Sequence, residues 1–199
     1  MREKIMFRLV FVLCCLLTSL SADYTQIDWL LQGRVSYFFP SEDLFREIYG
    51  RGMPMYGAVA GAFWNDWGVT ATVDVLNKSG HSIGLANPTH IDLIPISLDV
   101  VYRRPVLNGV EVFGAIGPEI HYIRFHDKNP IFFEHLNKWG YGGIARAGAW
   151  LDVANFVSLE LSGAYAIRHA YFHGCSNGIK KQSFNSSGWE ITAALGVNF

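Results

Sequence analysis

Charge is scarce in this sequence. Asp, Glu, Lys and Arg make up 17% of its 199 residues, against about 25% in an ordinary soluble domain. Sixteen basic residues against seventeen acidic ones leave a formal net charge of -1. No basic patch or stripe suggests a nucleic-acid partner. Cysteine is scarcer still, with three residues, two of them adjacent at Cys14-Cys15. That excludes an internal disulfide framework of the kind that staples small secreted domains. Beyond the first 22 residues no apolar run approaches the roughly 18 needed for a transmembrane helix. What is present is half hydrophobic, 15% aromatic and rich in glycine, with 20 residues.

The first 22 residues read as a cleaved secretory signal. Arg2 and Lys4 supply a positive start. Ile5 to Leu17 is apolar apart from Arg8, and Thr18-Ser19-Leu20-Ser21-Ala22 supplies small residues for cleavage. Leu13 before Cys14, and Cys14 before Cys15, lack the small residue that lipid modification of a cysteine requires. The mature domain is therefore expected to span 23–199, with Cys175 as its one cysteine and a net charge of -3. An exported, apolar, glycine-rich chain without a spanning helix fits a closed β-barrel, because closure satisfies every backbone N–H and C=O within lipid.

The period of the mature chain is two, the period of strands. Trp189, Ile191, Ala193, Leu195, Val197 and Phe199 alternate with Glu190, Thr192, Ala194, Gly196 and Asn198. Val157, Leu159, Leu161, Tyr165 and Ile167 oppose Ser158, Glu160, Ser162 and Arg168. Val69, Ala71, Val73 and Val75 oppose Thr70, Thr72 and Asp74, and Ile94, Ile96, Leu98, Val100 and Tyr102 oppose Ser97 and Asp99. Short turn signals at Asn65-Asp66, Pro105 to Gly109 and Ala154-Asn155 alternate with long polar connections at 40–54, 77–90, 126–139 and 169–188. The spacing predicts eight strands over 27–39, 55–64, 67–77, 91–104, 110–125, 140–153, 156–168 and 188–199. In the second, Tyr56, Ala58, Ala60, Ala62 and Trp64 fit either face. The fold class is thus all-β: an eight-stranded, antiparallel, up-and-down transmembrane barrel with short turns at one end and long loops at the other. On the apolar faces Trp29, Trp67, Tyr102 and Phe199 mark one end, and Tyr37, Tyr122, Tyr141, Tyr165 and Trp189 the other, as the two interfacial belts of a membrane barrel do. A soluble lipocalin-like barrel would show the same alternation with the faces exchanged. The polar faces here hold too few charges to coat a whole exterior.

This pattern resembles the small eight-stranded outer-membrane barrels, the superfamily of OmpX, OmpW and the OmpA transmembrane domain, over the whole mature chain. The end, Thr192-Ala193-Ala194-Leu195-Gly196-Val197-Asn198-Phe199, is similar to the C-terminal signal read by the barrel assembly machinery, with Leu195, Val197 and Phe199 as the alternate apolar positions. Ala194 departs from the usual glycine. Tyr37-Phe38-Phe39-Pro40-Ser41 and Phe45-Arg46-Glu47-Ile48-Tyr49-Gly50 resemble a group of uncharacterised barrels that lends no activity. The resemblance implies residence in the outer membrane of a Gram-negative bacterium. It implies lipid and the assembly machinery as partners, with an extracellular ligand or host surface as a further one. The role it favours is structural or surface-interacting. A narrow pore for small solutes is the alternative, and an acyl hydrolase acting on lipid A comes third.

On the polar faces, ionisable residues collect toward the interior: Arg34, Asp74, Asp99, Glu119, His121, Arg146, Glu160, Arg168 and Glu190. Eight strands leave an interior that side chains fill, and buried charges pair or neutralise. A salt-bridged plug is expected rather than a conduit, with Arg146 as its hub because it lies mid-strand between lipid-facing Ala145 and Ala147. Three arginines cannot neutralise five acids. The hydrolase reading rests on His173 and Ser176, which faintly resemble the His-x-Ser-Asn segment of the PagL lipid A deacylases. Two residues separate them here, which would put them on opposite faces of a strand. No catalytic residues are therefore assigned, and the protein is expected not to be an enzyme. Cys175 beside them reads as an exposed thiol able to form an interchain disulfide. His126, His135, His169 and His173 show no metal-ligand spacing, so neither metal nor cofactor is expected.

Overall fold

The computed structural model describes residues 27–81, 88–127, 135–154, 156–172 and 182–199. The signal-peptide segment, His173, Cys175 and Ser176 lie outside them. In chain order the elements are β1 (Asp28–Pro40), α1 (Asp43–Tyr49), β2 (Met53–Trp64), β3 (Trp67–His81), β4 (Pro88–Leu107), β5 (Val110–Asp127), β6 (His135–Ala154), β7 (Val157–Phe172), β8 (Gln182–Asn185) and β9 (Gly188–Asn198). Each strand from β1 to β7 pairs antiparallel with the next, and β9 lies between β7 and β1, pairing with both. The ring is therefore closed with eight strands. β8 is a four-residue strand that, among the described residues, pairs with β7 alone, at His169 to Phe172. Closure removes both sheet edges, which in lipid would expose unpaired backbone groups.

The barrel is apolar outside and charged across the middle of its interior. Leu31, Val35, Leu98, Ile116, Leu161 and Leu195 lie exposed on the outer face, while Asp99, Glu119, Arg168 and Glu190 are buried in the interior. A water-soluble barrel has the reverse arrangement. On β2 the structure places Tyr56 outward, 60% exposed, and Met53, Met55, Val59 and Phe63 inward. Aromatic side chains pair across neighbouring strands near both ends: Trp67 with Tyr102, ring centroids 5.0 Å apart, and Tyr122 with Trp139 and Tyr165 with Trp189 at 5.2 and 4.9 Å. From Trp189 to Phe199 the chain advances ten residues. At a rise of about 3.3 Å and a tilt of about 40°, that is roughly 25 Å along the barrel axis, the height of a lipid-facing apolar band.

The strands run further at the loop end than hydropathy implies. β3 and β4 stay paired out to His81 and Pro88, with Asn77 opposite Asp92 and Ser79 opposite His90. There the side chains bond to one another across the ladder: Asn77 donates to Asp92 at 2.8 Å, and Ser79 Oγ lies 3.1 Å from His90 Nδ1. Polar residues on the outer face read as loop because their strand signal is apolar alternation, yet backbone pairing does not need it. The segment 40–54, expected as open loop, contains α1, whose Phe45 and Tyr49, four residues apart, are both buried. At the turn end, Asn65 takes the left-handed conformation at φ 56° and Gly109 at φ 74°, which fits the tight turns predicted at both places. Within the barrel, glycine makes room for charge: a Cβ at Gly57 would overlap the carboxylate of Asp74, its register partner.

Candidate functional site: the barrel lumen

Parity along each strand decides what enters the lumen. Arg34 on β1, Asp74 on β3, Asp99 on β4, Glu119 and His121 on β5, Arg146 on β6, Glu160 and Arg168 on β7 and Glu190 on β9 all point inward and are buried. They form one belt across the middle of the barrel. Arg168 is fully buried and grips two acids. Its Nε donates to Glu119 Oε1 at 2.5 Å and its Nη2 to Glu119 Oε2 at 2.9 Å, while Nη2 also reaches Glu190 Oε1 at 2.6 Å. Its guanidinium stands 5.4 Å from the centre of the Phe38 ring. The fork geometry of arginine suits this bidentate bonding.

Arg34 continues the belt. Its Nε lies 3.3 Å from Asp74 Oδ1 and its Nη2 3.8 Å from Glu190 Oε2, and Nη2 donates to Thr192 Oγ1 at 2.9 Å. Arg146 donates to Asp99 Oδ2 at 2.9 Å, and Ser97 donates to the same oxygen at 3.2 Å. Glu160 has no arginine within ion-pair distance among the described residues. It accepts from Trp150 Nε1 at 3.0 Å and from Ser162 Oγ at 2.7 Å. His121 is fully buried, its Nδ1 3.9 Å from Glu119 Oε1.

The geometry moves the hub from Arg146 to Arg168. Arg146 bonds one acid and Arg168 two, because Arg168 sits where β5, β7 and β9 bring Glu119 and Glu190 to the same height. Cross-strand register, which a single strand's pattern does not reveal, makes this choice. We therefore expect Arg146→Ala to be the milder lesion. Asp99 keeps its bond from Ser97, so the cost should fall near the 1–3 kcal/mol of one unsatisfied buried group, read from unfolding in urea with the barrel in lipid vesicles.

Apolar layers that the charge pattern does not announce lie above and below the belt. At the loop end Phe38, Met53, Met55, Leu76, Ile91, Leu93 and Ile123 form a cluster in the lumen with Phe45 and Tyr49 of α1, which packs over them. At the turn end Leu30, Phe63, Val101, Phe113 and Trp150 form a second cluster, with Trp150 stacked on Phe113 at 4.1 Å. The signal was there: Phe38 shares parity with Arg34, Leu76 with Asp74, and Trp150 with Arg146. A small cavity of about 10 Å³ lies among Gln32, Arg146 and Glu160, room for about one water. At the C-terminus Leu195, Val197 and Phe199 face outward, exposed, and Phe199 exchanges backbone hydrogen bonds with Trp29 at 2.8 and 3.0 Å. His126 and His135 fall at the loop ends of β5 and β6, and His169 is half-buried on β7.

The fold and this lumen define the class: a closed, eight-stranded antiparallel barrel, apolar outside and charged within, the fold of the small outer-membrane barrels. Solved structures of that type align with nearly the whole chain. Neisserial surface protein A matches at a TM-score of 0.57 with 14% identity, over 86% of this chain and 97% of that one. Ail, the attachment invasion locus protein of Yersinia pestis, matches in its complex with the heparin analogue sucrose octasulfate at 0.53 and 12%, over 87% and 98%. Outer membrane protein W of E. coli matches at 0.51 and 11%, over 89% and 100%. At these identities the likeness is one of fold. The chain matches no protein-family model and no curated protein.

Proposed function

We propose that this protein is an integral outer-membrane barrel with a structural or surface-interaction role, exported by cleavage of residues 1–22. One observation carries the reading: the lumen is a belt of buried ion pairs between two apolar layers, capped by α1, so the protein's business lies on its surfaces. The apolar band meets lipid, the short turns face the periplasm, and the long connections face outward to an extracellular ligand or host surface. Leu195, Val197 and Phe199 present the alternate apolar positions that the assembly machinery would read. No residue is assigned a catalytic role.

The competing reading is a narrow pore. Its support is that Arg146, which holds a single acid, Asp99, lines a small cavity of about 10 Å³. The export and orientation parts of the proposal are tested together. Cells are fractionated, the membrane-bound protein is sequenced from its N-terminus, and intact cells are treated with protease. The expected results are a start at Ala22 or Asp23, residence in the outer membrane, and cleavage only within the long connections. An intact leader, or protein in the soluble periplasm, contradicts it.

A further inference from the structure

We propose that the outer face of the barrel carries a site for a divalent transition-metal ion just beyond the aromatic belt at the loop end, where strand register sets His90, His126 and His135 side by side. Along the chain the three fall in different strands, with no metal-binding spacing. Register supplies what spacing does not. His90 on β4 stands opposite His126 on β5, and His126 stands opposite His135 on β6. Directly opposed residues of antiparallel strands share a face, with Cα atoms about 4.5–5.5 Å apart. The three histidines therefore hold one row about 10 Å long across three strands, with His126 at its centre.

The row lies outside the lipid band. Tyr122 and Trp139, whose rings pair at 5.2 Å, mark the belt on β5 and β6. His126 is four residues beyond Tyr122 towards the loops, and His135 four beyond Trp139. At about 3.3 Å per residue and a tilt of about 40°, that is roughly 10 Å past the belt, where ions in solution have access. A carboxylate stands beside the row. Asp92 is two residues from His90 on the same face, and its Oδ1 lies 3.2 Å from His90 Nε2. On the other side of the ring Ser79 Oγ lies 3.1 Å from Nδ1. A metal ion that takes one nitrogen of this half-buried ring leaves the other its partner, as ligating imidazoles usually have.

The donor set selects the ion. Neutral imidazoles suit Zn2+, Cu2+ and Ni2+. Three of them with one oxygen, from Asp92 or water, complete the four-coordinate shell of Zn2+. Ca2+ and Mg2+ call for about six or more oxygen ligands and gain little here. The backbones of β4, β5 and β6 are paired far down into the barrel, so the row is assembled before a metal arrives. The site does not depend on what the long connections bind.

The test titrates the folded, tag-free barrel, in uncharged maltoside micelles, with zinc chloride by calorimetry. Saturable one-to-one binding below about 100 μM is expected, undisturbed by an equal concentration of calcium. His126→Ala should weaken it about a hundredfold, and His90→Ala and His135→Ala about tenfold or more each. His169→Ala, at a half-buried position on β7, should leave it unchanged. The row positions lie beyond the lipid band, so their variants should fold, as the heat-dependent gel shift would verify. Failure of zinc to saturate by about 100 μM, displacement of zinc by equal calcium, or unchanged affinity in His126→Ala would overturn the proposal.

Discussion

Replacing Arg168 with Ala is expected to cost about 3–5 kcal/mol of stability, the usual result of breaking a buried ion pair from one side. The residue is fully buried and bonds Glu119 twice and Glu190 once. Without it, two carboxylates face each other with no counter-charge at that height, and the Phe38 ring loses its cation. Arg34 lies 3.8 Å from Glu190 and would shield one acid in part, but among the described residues Glu119 is left with no arginine or lysine, only the ring of His121 3.9 Å away. Neutralising the stranded acids should recover much of the loss. The triple variant Arg168→Met, Glu119→Gln, Glu190→Gln should therefore be more stable than Arg168→Ala, because a buried pair replaced whole is often close to neutral. Urea unfolding in lipid vesicles measures both. The account fails here if Arg146→Ala, with one acid partner, proves the more damaging of the two arginine lesions.

The second large effect is expected in cells rather than in the test tube. Deleting Phe199 removes an aromatic ring that is 75% exposed on the outer face, together with two backbone bonds to Trp29. The ring is worth about 1.5–3 kcal/mol of burial in lipid. β9 keeps its long ladders with β1 and β7, so the truncated barrel should still refold in detergent, with the heat-dependent gel shift of the intact protein. Its level in the outer membrane should nonetheless fall sharply, because the terminal aromatic residue is what the assembly machinery would read. Equal membrane levels of the two forms would contradict that role.

Strand number, strand faces and the inward residues were legible because lipid and lumen impose opposite chemistry on alternate residues. That alternation runs through Trp189 to Phe199 almost without fault. Three things were not legible, each for a physical reason. The extension of β3 and β4 beyond Asn77 left no apolar trace, since outside lipid the outer face carries Asn77, Ser79, His90 and Asp92 instead. α1 was hidden because a seven-residue helix has too few turns to show a period, and its order comes from Phe45 and Tyr49 packing on the lumen residues beneath. The hub escaped because three strands distant in sequence meet at Arg168, and their register is set by the closed ring rather than by any one segment. The apolar layers share the parity of the charges, but an inward Phe38 or Leu76 carries no hydropathy mark that separates it from a lipid-facing residue.

The central claim is that the lumen is closed, and conductance across a planar bilayer tests it most directly. Wild-type protein should show no stable open level, because ion pairs, the Trp150–Phe113 stack and the cap over Phe38 occupy the axis. Arg146→Ala, which removes the single pair beside the small cavity among Gln32, Arg146 and Glu160, should show at most brief, small openings. A large, long-lived conductance in the wild type would contradict the account and make the protein a pore.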